Sequence, residues 1–154
     1  MLPYLASQLV GAFAGVAAAH VMFGAPIFAA SRHVRAGGPQ PFSEALATVG
    51  LLVVIWGCAR LRPKISPFAV GGYITAAYWF TSSTSFANPA ATLAPAASDT
   101  FAGVRPADAP GFIVAELAGA AAATGVFRWL VPSLPAVAER VVDRAAGRPG
   151  EGAP

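Results

Sequence analysis

Residues 81–100 read TSSTSFANPAATLAPAASDT, and the reading of this stretch decides the fold. On one side lies PFAVGGYITAAYWF and on the other PGFIVAELAGAAAATGVFRWLV, both apolar enough for lipid. Between them come hydroxyls, an Asn-Pro pair and a further proline. Backbone N–H and C=O groups without partners cost several kcal/mol each in hydrocarbon, so non-helical chain survives at membrane depth only where protein buries it or a water-filled cavity solvates it. The stretch is therefore either an ordinary external turn or a re-entrant loop.

Composition places the neighbourhood in a bilayer. Of the 154 residues 56% are hydrophobic and 11% charged, and the mean hydropathy is +0.60. Soluble domains carry about 25% charged residues, so water is excluded as the solvent for most of this surface. The net charge of +3 and isoelectric point near 9.6 do not indicate nucleic acid, because the basic residues are scattered between apolar spans. No basic segment precedes the first apolar run, MLPYLASQLVGAFAG, so a removable signal peptide is not expected.

Four windows approach the roughly 20 residues needed to cross hydrocarbon: Tyr4–Phe23, Phe42–Arg60, Pro67 to about Ser82, and Pro110–Val131. The third is short and runs directly into the decisive stretch. The linker SDTFAGVRPAD follows, and beyond Pro132 the tail at 133–154 becomes charged and then rich in Gly and Pro, as expected of a cytoplasmic polar segment. With alternating connections, Arg60, Arg62, Lys64, Arg128, Arg140, Arg144 and Arg148 share one side of the membrane and Arg32, Arg35 and Arg105 the other. The larger group belongs inside, placing both termini in the cytoplasm of a multi-pass protein.

A shift of 108 positions aligns YLASQLVGAFAG with FIVAELAGAAAA, pairing Gln8 with Glu116, Leu9 with Leu117 and Gly11 with Gly119. Each span carries a stripe of small residues, Ser7, Gly11, Gly15 and Ala19 in the first and Ala115, Gly119 and Ala123 in the last, suited to close helix approach. Within the decisive stretch Asn88 is a strong N-cap and Pro89 fits the first helical position, where its missing N–H costs nothing. A half-helix is thus expected to run outward through Ala90 and Leu93, ending or kinking at Pro95. Its positive dipole end would lie near the bilayer midplane, repelling cations and protons while offering donors to a neutral solute.

TSSTSFANPAATLA, followed by SDTFAG and a Gly-rich final span, resembles the second signature loop and last helix of the aquaporins and aquaglyceroporins, the major intrinsic proteins. The resemblance covers Tyr4–Pro132 and implies an all-α membrane fold of four transmembrane helices plus one re-entrant half-helix, an incomplete aquaporin-like bundle over residues 1–132. By it, the spans are the family's third to sixth helices, and Asn88, Pro89 and Ala90 form the second Asn-Pro-Ala signature of the pore. Glu44, after an expected helix cap at Ser43, matches the buried glutamate that braces re-entrant backbone; without the resemblance it would serve as a favourable charge in a helix's first turn. The selectivity filter would fall at Ala76, Ser85 and Ala91. The last position usually holds arginine, and alanine there implies a wide filter.

The resemblance also implies that the first two helices and first signature half-helix must be supplied from elsewhere, and that subunits assemble as tetramers. The function expected is a passive plasma-membrane channel, or part of one, for small uncharged solutes such as water, glycerol or neutral metalloids like arsenite, the last associated with bacterial members that this chain resembles. The alternative is a non-conducting truncated or split membrane protein that serves as a packing partner for other helices. An enzyme is not expected. His20 and His33 lack ligand-spaced partners, and His20 reads as an interfacial residue; the loop hydroxyls have no base nearby in sequence. Cys58 alone permits no internal disulfide. No metal or cofactor is called for, since passive permeation needs neither.

Overall fold

The computed structural model describes residues 2–131, so the tail expected at 133–154 lies outside the described residues. The described chain is helical, with α1 at Leu2–Phe23, α2 at Pro39–Leu61, α3 at Ser66–Phe80, α4 at Pro89–Leu93 and α5 at Ala109–Leu130. Short 3₁₀ turns, Pro63–Ile65 and Ala94–Ala97, precede α3 and follow α4. Helices α1, α2 and α5 are long and apolar enough to cross a membrane. At 15 residues, α3 spans only about 22 Å, short of a hydrocarbon core of about 30 Å.

The helix boundaries follow local chemistry. α1 stops at Gly24, whose φ of +64° gives the left-handed turn that ends many helices, with Ala25 N–H closing onto the His20 carbonyl at 2.8 Å. α2 begins at Pro39, three residues before the start expected from the apolar run, because proline's fixed φ suits the first helical turn. Ser43 is consequently not the cap. Its hydroxyl instead accepts the Ser82 N–H at 3.0 Å, and Glu44 stands beyond the first turn, free for another task.

Side-chain burial is inverted relative to a soluble domain. Leu2, Phe23, Phe68, Trp79 and Trp129 lie outside, whereas the largest fully buried side chains are Phe112, Glu44 and Glu116. Such a pattern suits lipid outside and polar bracing inside. α2 packs against α5 and α3, and α5 also packs on α4. The α2–α5 approach is closest at Gly119, where a Cβ would lie 2.5 Å from the Ala45 carbonyl oxygen. α1 rests on α4 and its following 3₁₀ turn and makes no comparable contact with the other helices among the described residues. The stripe on α5 therefore performs as expected, with Ala115, Gly119 and Ala123 buried, while Gly11 and Gly15 on α1 face open space.

Gly119→Ala is expected to force α2 and α5 apart and destabilise the chain by about 1–3 kcal/mol, the usual cost of overpacking. Gly125→Ala, with nothing within 4 Å of the added methyl, should be neutral or gain up to about 1 kcal/mol of helix propensity. Chemical unfolding in detergent, followed by tryptophan fluorescence, checks the contrast.

Candidate functional site

The chain leaves α3 at Thr81 in an extended conformation and reaches Asn88 through a loop with three left-handed non-glycine residues, Thr84 (φ 64°), Ser85 (54°) and Ala87 (48°). Each such residue costs on the order of 1–2 kcal/mol, so surrounding contacts must hold the loop. They come from several elements. Glu44 on α2 accepts the Ala87 N–H through Oε1. Glu116 on α5 accepts the Asn88 N–H at 3.1 Å and the Thr92 hydroxyl at 2.5 Å, both on Oε1. Ser83 Oγ accepts the Ser85 N–H at 3.3 Å.

Asn88 caps α4 as its sequence foretells. Its φ and ψ of −159° and 121° are extended, and Oδ1 accepts the Ala90 and Ala91 N–H groups at 2.8 and 3.4 Å. The other end of the amide, Nδ2, donates to Gln8 Oε1 of α1 at 3.3 Å. Pro89 occupies the first turn, and the α-helix ends at Leu93 so that Pro95 enters a 3₁₀ turn without leaving a helical carbonyl unmet.

Above this segment the α1–α2 connection and the 98–108 linker are stitched together. Arg35, which sequence reasoning counted only as an external charge, is 5% exposed and donates to three carbonyls: Gly103 through Nε at 2.7 Å, Ser83 through Nη1 at 2.9 Å and Phe101 through Nη2 at 2.8 Å. Its guanidinium also stacks 5.7 Å from the Phe86 ring, which packs on Phe112. Burial draws the Arg35 guanidinium below its ordinary pKa, and the nearby Glu44 charge opposes that shift. Asp108 accepts the Arg35 N–H at 3.0 Å and a bidentate pair from Arg105 at 3.2 and 2.7 Å. The Arg105 guanidinium, aided by the Arg35 N–H, holds the Asp108 carboxyl below the usual range, and Asp108 raises Arg105 in return. His20 is not interfacial. It is buried, with Nε2 2.8 Å from Ser98 Oγ and Nδ1 accepting the Phe28 N–H at 3.3 Å, and it fastens the end of α1 to the linker. Nothing in the spacing of His20 or Arg35 announces these long-range partners.

Between α1 and α3, floored by the loop and α4, runs an open groove of about 990 Å³. Its wall is mainly apolar, with polar groups at Thr75, Thr84, Ser85 and Asn88. Ser85 and Ala91 both line it, and the Ser85 hydroxyl, 2% exposed, has no hydrogen-bond partner among the described residues. Ala76 is exposed and does not line the groove; one residue earlier, Thr75 does. No group of three His, Cys, Asp or Glu side chains that could hold a metal occurs among the described residues.

Arg35→Lys should loosen this assembly, because an ammonium cannot present the planar fork that reaches three carbonyls. Losing charge-assisted bonds at buried carbonyls is expected to cost about 2 kcal/mol, read as a lower unfolding midpoint in detergent and faster proteolysis within residues 98–108.

Comparison with known proteins is consistent with this geometry. Over 135 residues the chain is 49% identical to the aquaglyceroporin AqpS of Rhizobium meliloti (strain 1021), a match covering 87% of this chain and 58% of that protein. The chain thus spans a little over half the length of this relative. No family model and no solved structure matches it. That identity, with the apolar surfaces of the helices, makes this a multi-pass membrane protein of the aquaglyceroporin, or major intrinsic protein, family.

Proposed function

We propose that the groove between α1 and α3 is one wall of a passive conduit for small uncharged solutes, with Asn88, Pro89 and Ala90 as its pore signature. The observation that carries this reading is the Asn88 amide: it lies at the groove, pinned through Oδ1 to the start of α4 and through Nδ2 to Gln8. A donor group fixed in this way can replace a solute's lost water contacts without reorganising. The unpartnered Ser85 hydroxyl offers a second contact on the same wall. In this reading α3 makes the third of four crossings, its shortness compensated by the loop that re-enters below it, and residues 1–132 act as one membrane unit.

The opposite wall comes from polypeptide outside residues 2–131, on this chain or another, since an open groove would leave Asn88 and Ser85 facing lipid. Ser85, Ala91 and Thr75 narrow the conduit little, and no arginine stands after the signature. Glycerol-sized and hydroxylated neutral metalloid solutes such as arsenite suit such a filter, as the name of the AqpS relative suggests for glycerol.

Liposomes carrying residues 1–154 alone should show no more flux than empty vesicles, whereas those also carrying a polypeptide that supplies the missing wall should pass glycerol, arsenite and water. Ala91→Arg places a guanidinium in the constriction and is expected to suppress glycerol and arsenite flux about tenfold more than water flux. A completed wild-type channel that passes water alone refutes the wide filter, and robust flux from the chain alone shows that copies close the pore themselves.

Orientation follows from the basic residues: both termini lie in the cytoplasm, and the loop enters from outside the plasma membrane. Single cysteines at the exposed positions Val34, Lys64 and Ala107, in a Cys58-substituted background, test it with an impermeant thiol reagent on whole cells. Positions 34 and 107 should label and position 64 should not; labelling at 64 alone reverses the topology.

A further inference from the structure

We propose that Glu44 and Glu116 share a single proton between their facing oxygens, so that a neutral acid and a carboxylate together brace the pore signature, with Glu116 as a positioning residue for Asn88. The geometry leads there in three steps. The two carboxyl groups accept adjacent backbone N–H groups, Glu44 that of Ala87 and Glu116 that of Asn88, which brings them to one point. The helices that carry them pack tightly there, Ala45 against Gly119, one residue after Glu44 and one turn after Glu116. The two carboxyl groups are thereby close neighbours.

Each carboxyl group commits Oε1 to the loop and keeps Oε2 buried without a partner, at 0% and 1% residue exposure respectively. Two neighbouring carboxylates buried inside a membrane protein repel one another, and each has an oxygen that lacks a donor, an arrangement costly on both counts. No other group of the described residues supplies one. Arg35 directs Nε, Nη1 and Nη2 to carbonyls, Tyr73 donates its hydroxyl to the Ala47 carbonyl, and Thr92 already serves Glu116 Oε1. One proton placed between the two Oε2 atoms satisfies both, lowers the pair's charge from two to one, and leaves each Oε1 free to hold the loop. The proton belongs to the pair and not to either residue.

Glutamine carries a permanent N–H₂ where a protonated carboxyl has its O–H, which sets a distinctive test. In Glu116→Gln the new amide would keep its Oε1 on Asn88 and Thr92 and donate its Nε2 to Glu44; in Glu44→Gln the new amide would keep its Oε1 on Ala87 and donate its Nε2 to Glu116. Either single substitution should therefore leave flux of the completed channel within about twofold, while the double variant, with two amide N–H₂ groups opposed, should lose about tenfold or more. Single variants as damaging as the double overturn the proposal. The functional arm rests on the channel reading, so a second measurement stands apart from flux. Infrared spectra of the purified chain in lipid at neutral pH should contain the carbonyl stretch of a neutral carboxylic acid, absent from both single glutamine variants. A wild-type spectrum without that band, or a band that persists in both variants, refutes the shared proton whatever the channel conducts; an acid band with no flux in any completed channel refutes the conduit and leaves the pair standing.

Discussion

Backbone that is neither helix nor strand must find a partner for every N–H and C=O once it leaves water, and residues 81–88 impose that requirement on everything around them. The loop adds three left-handed non-glycine residues, together on the order of several kcal/mol of strain. No single neighbour could hold it. Glu44 reaches it from α2, Glu116 from α5, Arg35 from the α1–α2 connection and Gln8 from α1, each meeting the segment between Ser83 and Asn88. The close α2–α5 packing through Gly119 gains its purpose here, because only with the two backbones nearly touching do both carboxyl groups arrive at consecutive N–H groups.

Parts of this design are legible in the sequence because they are local. An asparagine followed by proline caps a helix through atoms two and three residues away, and the structure has that cap with Pro89 behind it. Glu44 was legible through the family resemblance, which placed it against the loop; its own neighbourhood suggested a first-turn charge. That reading failed because Pro39 starts α2 earlier than the apolar pattern does. Arg35 and His20 were misread for a different reason. Polarity near a helix end reads as exposure, but both side chains are buried by the 98–108 linker, whose path no periodicity reports. Ala76 and Thr75 differ for a simpler reason, since one residue of helical rotation, about 100°, carries a side chain from the groove to the outside.

The upper layer obeys the same requirement on polar groups. The Arg35 guanidinium is surrounded by carbonyls, which keeps a positive charge near the loop and ties Ser83, Phe101 and Gly103 to one side chain. Asp108 meanwhile takes the Arg35 backbone N–H and the Arg105 fork, so that the start of α5 and the connection before α2 are fixed to one another. An arginine used in this way acts on the groove through backbone, and its removal is felt first at Ser83.

The alignment of α1 with α5 at a shift of 108 has a physical counterpart at Asn88. Gln8 and Glu116, paired by that shift, both reach this residue: the amide accepts from the side-chain Nδ2, the carboxyl group from the backbone N–H. Their chemistry differs as their surroundings do. Gln8 is only half-buried and meets the side-chain amide of Asn88, a residue that lines the groove, where a neutral acceptor orients the amide without adding an anion. Glu116 is buried, holding the start of α4 through Asn88 and Thr92, with Glu44 of α2 as its neighbour. Exchanging these two side chains would preserve the hydrogen bonds at Asn88 and still change the electrostatics around it, so the two aligned positions are alike in the residue they reach and unequal in charge.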